Sequence, residues 1–348
     1  MKKILPAFLS CQGARLNDDE KRLFERYNPL GVCLFSKCCA NIVSAGQVRM
    51  LVEDIQNAVG REDVLIAVDQ EGGRVRRLTE PEFTPTVGQS AITNPQFAKE
   101  HAYLISHDLQ ACGINVNFAP VLDLPNEKTS KVLAGRCFEN HIAELGKAMV
   151  DEYIRLGICP CIKHLPGHGR GAVDPHLELP VITESLEVLQ DDFEPFIALN
   201  SAPMGMVAHI VLSAVDEKCA ASLSTKVIQQ IIRGRIGFSG LLVSDALMMQ
   251  ALKGSIVERA EAAIAAGCDV VCLGNTGFDA NVELCQSGIA LSDAAQRRLE
   301  PILKIIGRQA DFSQYEYVKN KYCTEAKNIV SYDYQYDATE VLNRLRQA

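Results

Sequence analysis

Eight short apolar runs, each the length of one strand, recur through the first three-quarters of the chain. They cover residues 4–10, 31–35, 64–69, 114–118, 158–163, 205–209, 241–244 and 270–273. Their apolar residues are continuous rather than alternating, which predicts strands covered on both faces. Helical patterns fill the spaces between them. Val48, Leu51, Val52, Ile55 and Val59 make one stripe at helix period. Asn94 and Pro95 supply a cap and a first-turn proline for a helix running to about Cys112. Gly113, Gly157 and Gly267 each follow a helical pattern and precede a strand, where a left-handed helix stop is needed, and Gly237 sits comparably before Leu241. Strand, helix, glycine, strand is the grammar of right-handed βαβ units.

About eight such strands predict a closed (β/α)8 barrel; a doubly wound open sheet is the competitor. The two differ in where polar residues fall. Asp69, Asp123, Lys163, His164, His209 and Asp245 lie at or just beyond the C-terminal ends of different strands. A barrel gathers those ends at one mouth, whereas an open sheet concentrates function at one switch point. No glycine-rich dinucleotide loop follows the first strand, which weighs further against the open sheet. After about Val282 the pattern turns helical and polar. Residues 299–306 and 338–345 read as amphipathic helices joined by a tyrosine-rich, charged stretch. The whole chain, 1–348, is expected to be one domain, with about 282–348 a helical tail packed on the barrel.

Composition narrows the function classes. A chain of 348 residues with 47% hydrophobic residues can bury a large core without staples. Its formal net charge of −8 argues against a nucleic-acid binder, though a local basic pocket for an anionic small molecule remains open. The 13 cysteines show no disulfide spacing, several fall inside apolar runs, and the adjacent Cys38 and Cys39 suit neither a routine bridge nor a two-pair zinc site. A reducing cytoplasm is the expected compartment. Met1, Lys2 and Lys3 precede an apolar stretch of only about six residues with no A-x-A site, so the N-terminus reads as a first strand rather than a leader. No run approaches the length of a membrane-spanning helix. A soluble monomer is expected.

Four constellations could carry chemistry. The densest is the run 163–170 (KHLPGHGR) followed by Asp174, Pro175 and His176, which holds three of the seven histidines on one strand end and loop. A lysine ending a buried strand is costly unless it faces a polar cavity or partner. The second is the run 69–77 (DQEGGRVRR), where two glycines let the backbone bend so that carboxylates and arginines share one pocket, or build an internal ion-pair network around Glu71 and Arg74. The third is Asp245, emerging from an apolar strand as a nucleophile or base, or as a cap of the next helix. The fourth is Asp123 with Arg136 thirteen residues on, whose fork could hold sugar hydroxyls or a carboxylate.

The run 69–77, the KHLPGHG run at 163–169, Asp174 with His176, and the Ser244-Asp245 strand, in that order along the chain, resemble the motifs of the family 3 glycoside hydrolases, in particular the β-N-acetylhexosaminidases. The similarity runs from the first strand to about Asn275. It implies a (β/α)8 barrel that uses no metal or other cofactor and acts on a saccharide. Within the family the nearest resemblance is to bacterial cytoplasmic enzymes that recycle peptidoglycan, removing N-acetylglucosamine from its β-1,4 linkage to 1,6-anhydro-N-acetylmuramic acid in muropeptides. The resemblance makes Asp245 the nucleophile, His176 the general acid/base and Asp174 its partner, with Asp69, Arg77, Arg136, Lys163 and His164 binding the sugar. Two positions depart from the pattern: Pro175 stands where a serine is usual between the dyad residues, and Ala246 where a second aspartate usually follows the nucleophile. Pro175 stiffens the loop and biases Asp174 toward extended backbone.

The implied chemistry is coherent. Retention needs an ionised nucleophile on one face of the sugar and a proton donor near the leaving oxygen. A glutamate acid must have its pKa lifted well above its ordinary value, whereas histidine, ordinarily near ~6.5, needs little adjustment. Two other readings belong to different classes. One is a metal-dependent barrel hydrolase with His164, His168, His176, His209 and Asp245 as ligands, although residues 10–12 lack the paired histidines of amidohydrolase barrels. The other is a catalytically silent sugar-binding protein, for which Pro175 and Ala246 speak.

Overall fold

A computed structural model describes residues 3–36 and 40–327. Cys38, Cys39 and the expected helix at 338–345 lie outside the described residues. The strands are β1 (Leu5–Ser10), β2 (Pro29–Cys33), β3 (Leu65–Val68), β4 (Val116–Asn117), β5 (Cys159–Leu165), β6 (Val181–Ile182), β7 (Met204–Val207), β8 (Val211–Leu212), β9 (Leu241–Ala246) and β10 (Val270–Cys272). Eight of them close into a barrel in the order β1-β10-β9-β7-β5-β4-β3-β2, every pair parallel. Each barrel strand falls on one of the eight apolar runs, and closure decides against the open sheet. The short β6 and β8, two residues each, pair in parallel outside the barrel.

The helices are α1 (Asp18–Tyr27), α2 (Ala45–Val59), α3 (Pro95–Cys112), α4 (Ile142–Arg155), α5 (Gln190–Ala198), α6 (Ile256–Ala266), α7 (Phe278–Cys285), α8 (Asp293–Ile306) and α9 (Tyr315–Ala326). A π-helical segment, Val227–Arg235, occupies one crossover. Local chemistry sets the ends. Asn17 and Glu20 form a capping box on α1, and the Asn94 side chain accepts from Phe97 N to start α3. Gly113, Gly157, Gly237 and Gly267 all take positive φ, as the helix stops required.

Two apolar clusters share the barrel wall. One lies between strands and outer helices; the other fills the interior, where Phe8 and Phe118 meet edge to face at 5.5 Å. Leu65, Met204, Leu241 and Val270 are the first residues of their strands, and Ala295, Leu299 and Ile302 of α8 join the same interior cluster. That stripe covers the N-terminal end of the barrel and leaves the C-terminal end for function. The expected helix at 299–306 is thus the latter part of α8. Within the tyrosine-rich stretch after it, Tyr315–Ala326 is helical, as α9, and packs on α3. Among the described residues no helix is long and apolar enough to cross a membrane.

Candidate active site

A cavity open to solvent sits at the C-terminal ends of the barrel strands. Asp69, Arg77, Arg136, Lys163, His164, His176 and Asp245 all line it. Asp174 lies one layer behind, against His176. Residues separated by up to 176 positions in sequence therefore converge on one mouth.

One wall is an ion-pair lattice. Lys163, two residues before the end of β5 and almost fully buried, places Nζ 2.8 Å from Asp69 Oδ1 and 2.6 Å from Glu71 Oε1. Arg136 donates from Nε and NH2 to the two oxygens of Glu71, both at 2.8 Å, and from NH1 to the Val132 carbonyl. Burial alone would raise the Glu71 carboxyl, but Arg136 and Lys163 hold it well below the usual carboxylate range. Asp69 is likewise lowered, with Lys163 and Arg77 outweighing burial. Burial would lower Lys163, and the two carboxylates raise it instead. Of the two readings of the run 69–77, a shared pocket and an ion-pair network, Glu71 meets both: it lines the cavity and is ion-paired, with Arg136 and Lys163, while Arg74 donates to the carbonyls of Lys131, Val132 and Ala134. The Arg136 fork, expected to hold sugar hydroxyls or a carboxylate, is taken by the carboxylate of Glu71, leaving only the remaining N–H groups of its terminal nitrogens for a ligand. Arg77 is less committed: NH2 lies 3.5 Å from Asp69 Oδ2, and Nε has no hydrogen-bond partner among the described residues.

The loop after β5 forms a second wall. Asp123 Oδ1 accepts from the backbone N–H groups of His164 and His168, and Asp123 Oδ2 accepts from His164 Nδ1 at 2.6 Å. A carboxylate only accepts, so Nδ1 of His164 carries the proton and Nε2 is left for the cavity. Thr129 donates to the Gly169 carbonyl, and a Cβ on Gly169 would come within 1.8 Å of the Leu124 carbonyl, so only glycine lets the loop lie this close. His168 is buried beside the cavity with neither ring nitrogen hydrogen-bonded among the described residues.

Further along, Asp174 Oδ1 accepts from both the backbone N–H and Nδ1 of His176, at 2.9 and 2.7 Å. The ring is thereby oriented, with Nε2 free to give or take a proton. Pro175 does not disturb this turn, since its carbonyl accepts from Ala251 N and ties the loop to the segment after β9. Pairing of β6 with β8 anchors the far end of the loop.

Asp245 completes the cavity from β9. Its Oδ1 accepts from Ala246 N at 2.7 Å. Burial alone would raise its carboxyl, but the imidazoles of His209, His164 and His176 and the Ala246 amide hold the pKa at about 2. A permanently ionised carboxylate facing a mobile-proton imidazole across one cavity can attack an electrophilic carbon while the imidazole protonates a leaving oxygen.

Sequence reasoning assigned no role to Glu71, Asp123, His168 or His209 in binding the sugar. Asp123 carried a signal, a carboxylate ending an apolar run; His209 carried the same one. His209 uses both ring nitrogens internally, near Ser222 Oγ (2.7 Å) and the Ala246 carbonyl (3.1 Å). As for the set His164, His168, His176, His209 and Asp245, no three His, Cys, Asp or Glu side chains among the described residues are grouped to hold a metal ion.

Comparison with known proteins agrees with this architecture. The glycosyl hydrolase family 3 N-terminal domain matches residues 5–304. The beta-hexosaminidase of Bordetella avium strain 197N is 37% identical over 287 residues, covering 78% of this chain and 80% of that protein. Among solved structures, NagZ from Neisseria gonorrhoeae in complex with N-trifluoroacetyl-D-glucosamine superposes with a TM-score of 0.80 at 29% identity, covering 93% of this chain and 98% of that one. The family 3 beta-N-acetylglucosaminidase from Paenibacillus sp. str. FPU-7 gives 0.79 at 26% identity, over 92% of this chain and 67% of that one. With the family match spanning most of the barrel, the chain belongs to glycosyl hydrolase family 3 and is a glycoside hydrolase of the β-N-acetylhexosaminidase kind.

Proposed function

We propose that this enzyme is a retaining exo-β-N-acetylglucosaminidase of peptidoglycan recycling, releasing terminal β-1,4-linked N-acetylglucosamine from 1,6-anhydro-N-acetylmuramoyl muropeptides in the cytoplasm, as a monomer. Asp245 attacks the anomeric carbon and forms a glycosyl-aspartate ester. His176, oriented by Asp174, gives its Nε2 proton to the leaving oxygen. In the second half-reaction the same nitrogen takes a proton from water, which displaces Asp245 and releases the sugar with its β configuration kept. Asp69, Arg77, Lys163 and His164 bind the sugar hydroxyls, and Arg136 contributes through the N–H groups that Glu71 leaves free.

The observation that carries this reading is the shared cavity of Asp245 and the Asp174-held His176. The sugar class is supported by likeness to NagZ from Neisseria gonorrhoeae, solved with N-trifluoroacetyl-D-glucosamine, and to the Paenibacillus beta-N-acetylglucosaminidase. The test is a product assay on purified muropeptides, following the anomer of free N-acetylglucosamine by proton NMR. First appearance of the β-anomer is expected. First appearance of the α-anomer, or no release from muropeptides that aryl substrates outcompete entirely, would refute the mechanism or the substrate respectively.

A further inference from the structure

Tyr322 lies beyond residue 304, where the family match ends, yet it reaches the back of the ion-pair lattice. Its helix, α9, docks on α3. The Phe97 and Tyr322 rings stack with centroids 4.6 Å apart, and Lys321 pairs with Glu100. The buried Tyr322 hydroxyl accepts from Val87 N at 3.0 Å and lies 2.8 Å from His101 Nδ1. The other nitrogen of that ring, Nε2, is 3.0 Å from the Glu71 carbonyl oxygen. A carbonyl only accepts, so Nε2 carries the proton, Nδ1 is the acceptor, and the tyrosine hydroxyl donates to it. The turn beyond Glu71 packs on the same residues. Gly72 takes φ +104°, and a Cβ there would come within 2.1 Å of the Val87 carbonyl and 2.7 Å of His101 Cε1.

We propose that Tyr322 and His101 are positioning residues for sugar binding: a hydroxyl–imidazole–carbonyl relay from α9 fixes the backbone of Glu71 and, through its side chain, Arg136 and Lys163. The proposal rests on the reading of those two cations as sugar-holding groups. Its physical basis is leverage. One carboxylate holds both cations, so a small displacement of the Glu71 backbone moves two donors together, and binding groups must sit within about half an ångström of their productive places.

The test compares steady-state kinetics and Tm of the full-length enzyme and its variants on an aryl β-N-acetylglucosaminide. Tyr322→Phe keeps the stacked ring and deletes one oxygen. It is expected to raise KM roughly three- to tenfold, the scale of one hydrogen bond, with kcat within about twofold. Tyr315→Phe is the control on the same helix, losing a partner at Thr84 Oγ1 (2.7 Å) that is not linked to Glu71, and its KM is expected to stay unchanged. His101→Gln, whose amide can still donate to the Glu71 carbonyl, is expected to recover part of the KM lost in His101→Ala. An unchanged KM in Tyr322→Phe, or an equal rise in Tyr315→Phe, overturns the relay; a merely structural helix would lower Tm in both without separating them by KM. Lys163→Ala, run alongside, separates the two levels. If its KM is unchanged, the sugar-holding reading itself fails; if its KM rises while that of Tyr322→Phe does not, only the relay fails.

Discussion

Glu71 grips Arg136 through two parallel N–H···O bonds of 2.8 Å and, with the same carboxylate, holds Lys163 Nζ at 2.6 Å. All three side chains are nearly or wholly shielded from water. Removing the carboxylate leaves the Arg136 fork without its partner and Lys163 with Asp69 alone, in a region where unpaired charge is costly. Glu71→Ala is expected to destabilise the fold by about 3–5 kcal/mol. Urea denaturation measures this directly, and a loss below about 1 kcal/mol would mean that solvent reaches the lattice freely.

Asp245 offers a sharper test of chemistry. With its pKa held at about 2, it is ionised across the whole practical range and needs no activation. Asp245→Ala should lower kcat by roughly four orders of magnitude or more while leaving Tm near the wild-type value. Mass spectrometry of enzyme quenched with a slowly hydrolysed glycosyl fluoride should place the adduct on Asp245. An adduct on another carboxylate would remove it from the nucleophile's role.

Loss of His176 should depend on the leaving group. A general acid contributes about 10²–10⁴-fold when the departing oxygen needs a proton and little when it does not. His176→Ala is therefore expected to slow glycosylation by natural disaccharides far more than by aryl glycosides with acidic phenols. Pre-steady-state rates on both substrates measure this, and equal losses would take His176 out of the acid role.

Two buried imidazoles make stability fall as the pH is lowered. Burial pushes His101 and His168 down to about 4. In the unfolded chain both return to about 6.5, so the unfolded state binds more protons between those values. The stability from their neutral burial is complete above about pH 6.5 and is lost as pH falls toward 4, by of the order of 3 kcal/mol for each histidine at the lower end. Thermal melts between pH 7.5 and 4.5 should show the decline, with a shallower slope in His101→Gln. A flat Tm over that interval would show that the two rings are not held neutral.

Much of the barrel was legible because its strands are buried on both faces. The continuous run Leu241–Val243 and the glycine stops at Gly113 and Gly267 are local signals, readable without knowing any neighbour. The catalytic candidates were legible for a related reason: Asp69, Lys163 and Asp245 are charged residues at the ends of apolar runs, and a barrel turns all such ends to one side. α9 was not resolved from the tyrosine-rich stretch around it, since only Tyr322 of its residues is buried and no apolar stripe marks it. The two-residue strands β6 and β8 are too short to leave a periodicity.

The sequence by itself therefore determined the barrel, its mouth, and which residues could stand there, because these follow from burial pattern along one stretch of chain at a time. Only the tertiary structure decided who holds whom: that Glu71 rather than a ligand fills the fork of Arg136, that Asp123 orients His164, and that a tyrosine near the C-terminus braces the turn after β3. Those pairings join residues 41 to 251 positions apart. They depend on distances of a few ångströms across the closed barrel and its outer helices, and no local propensity encodes such distances.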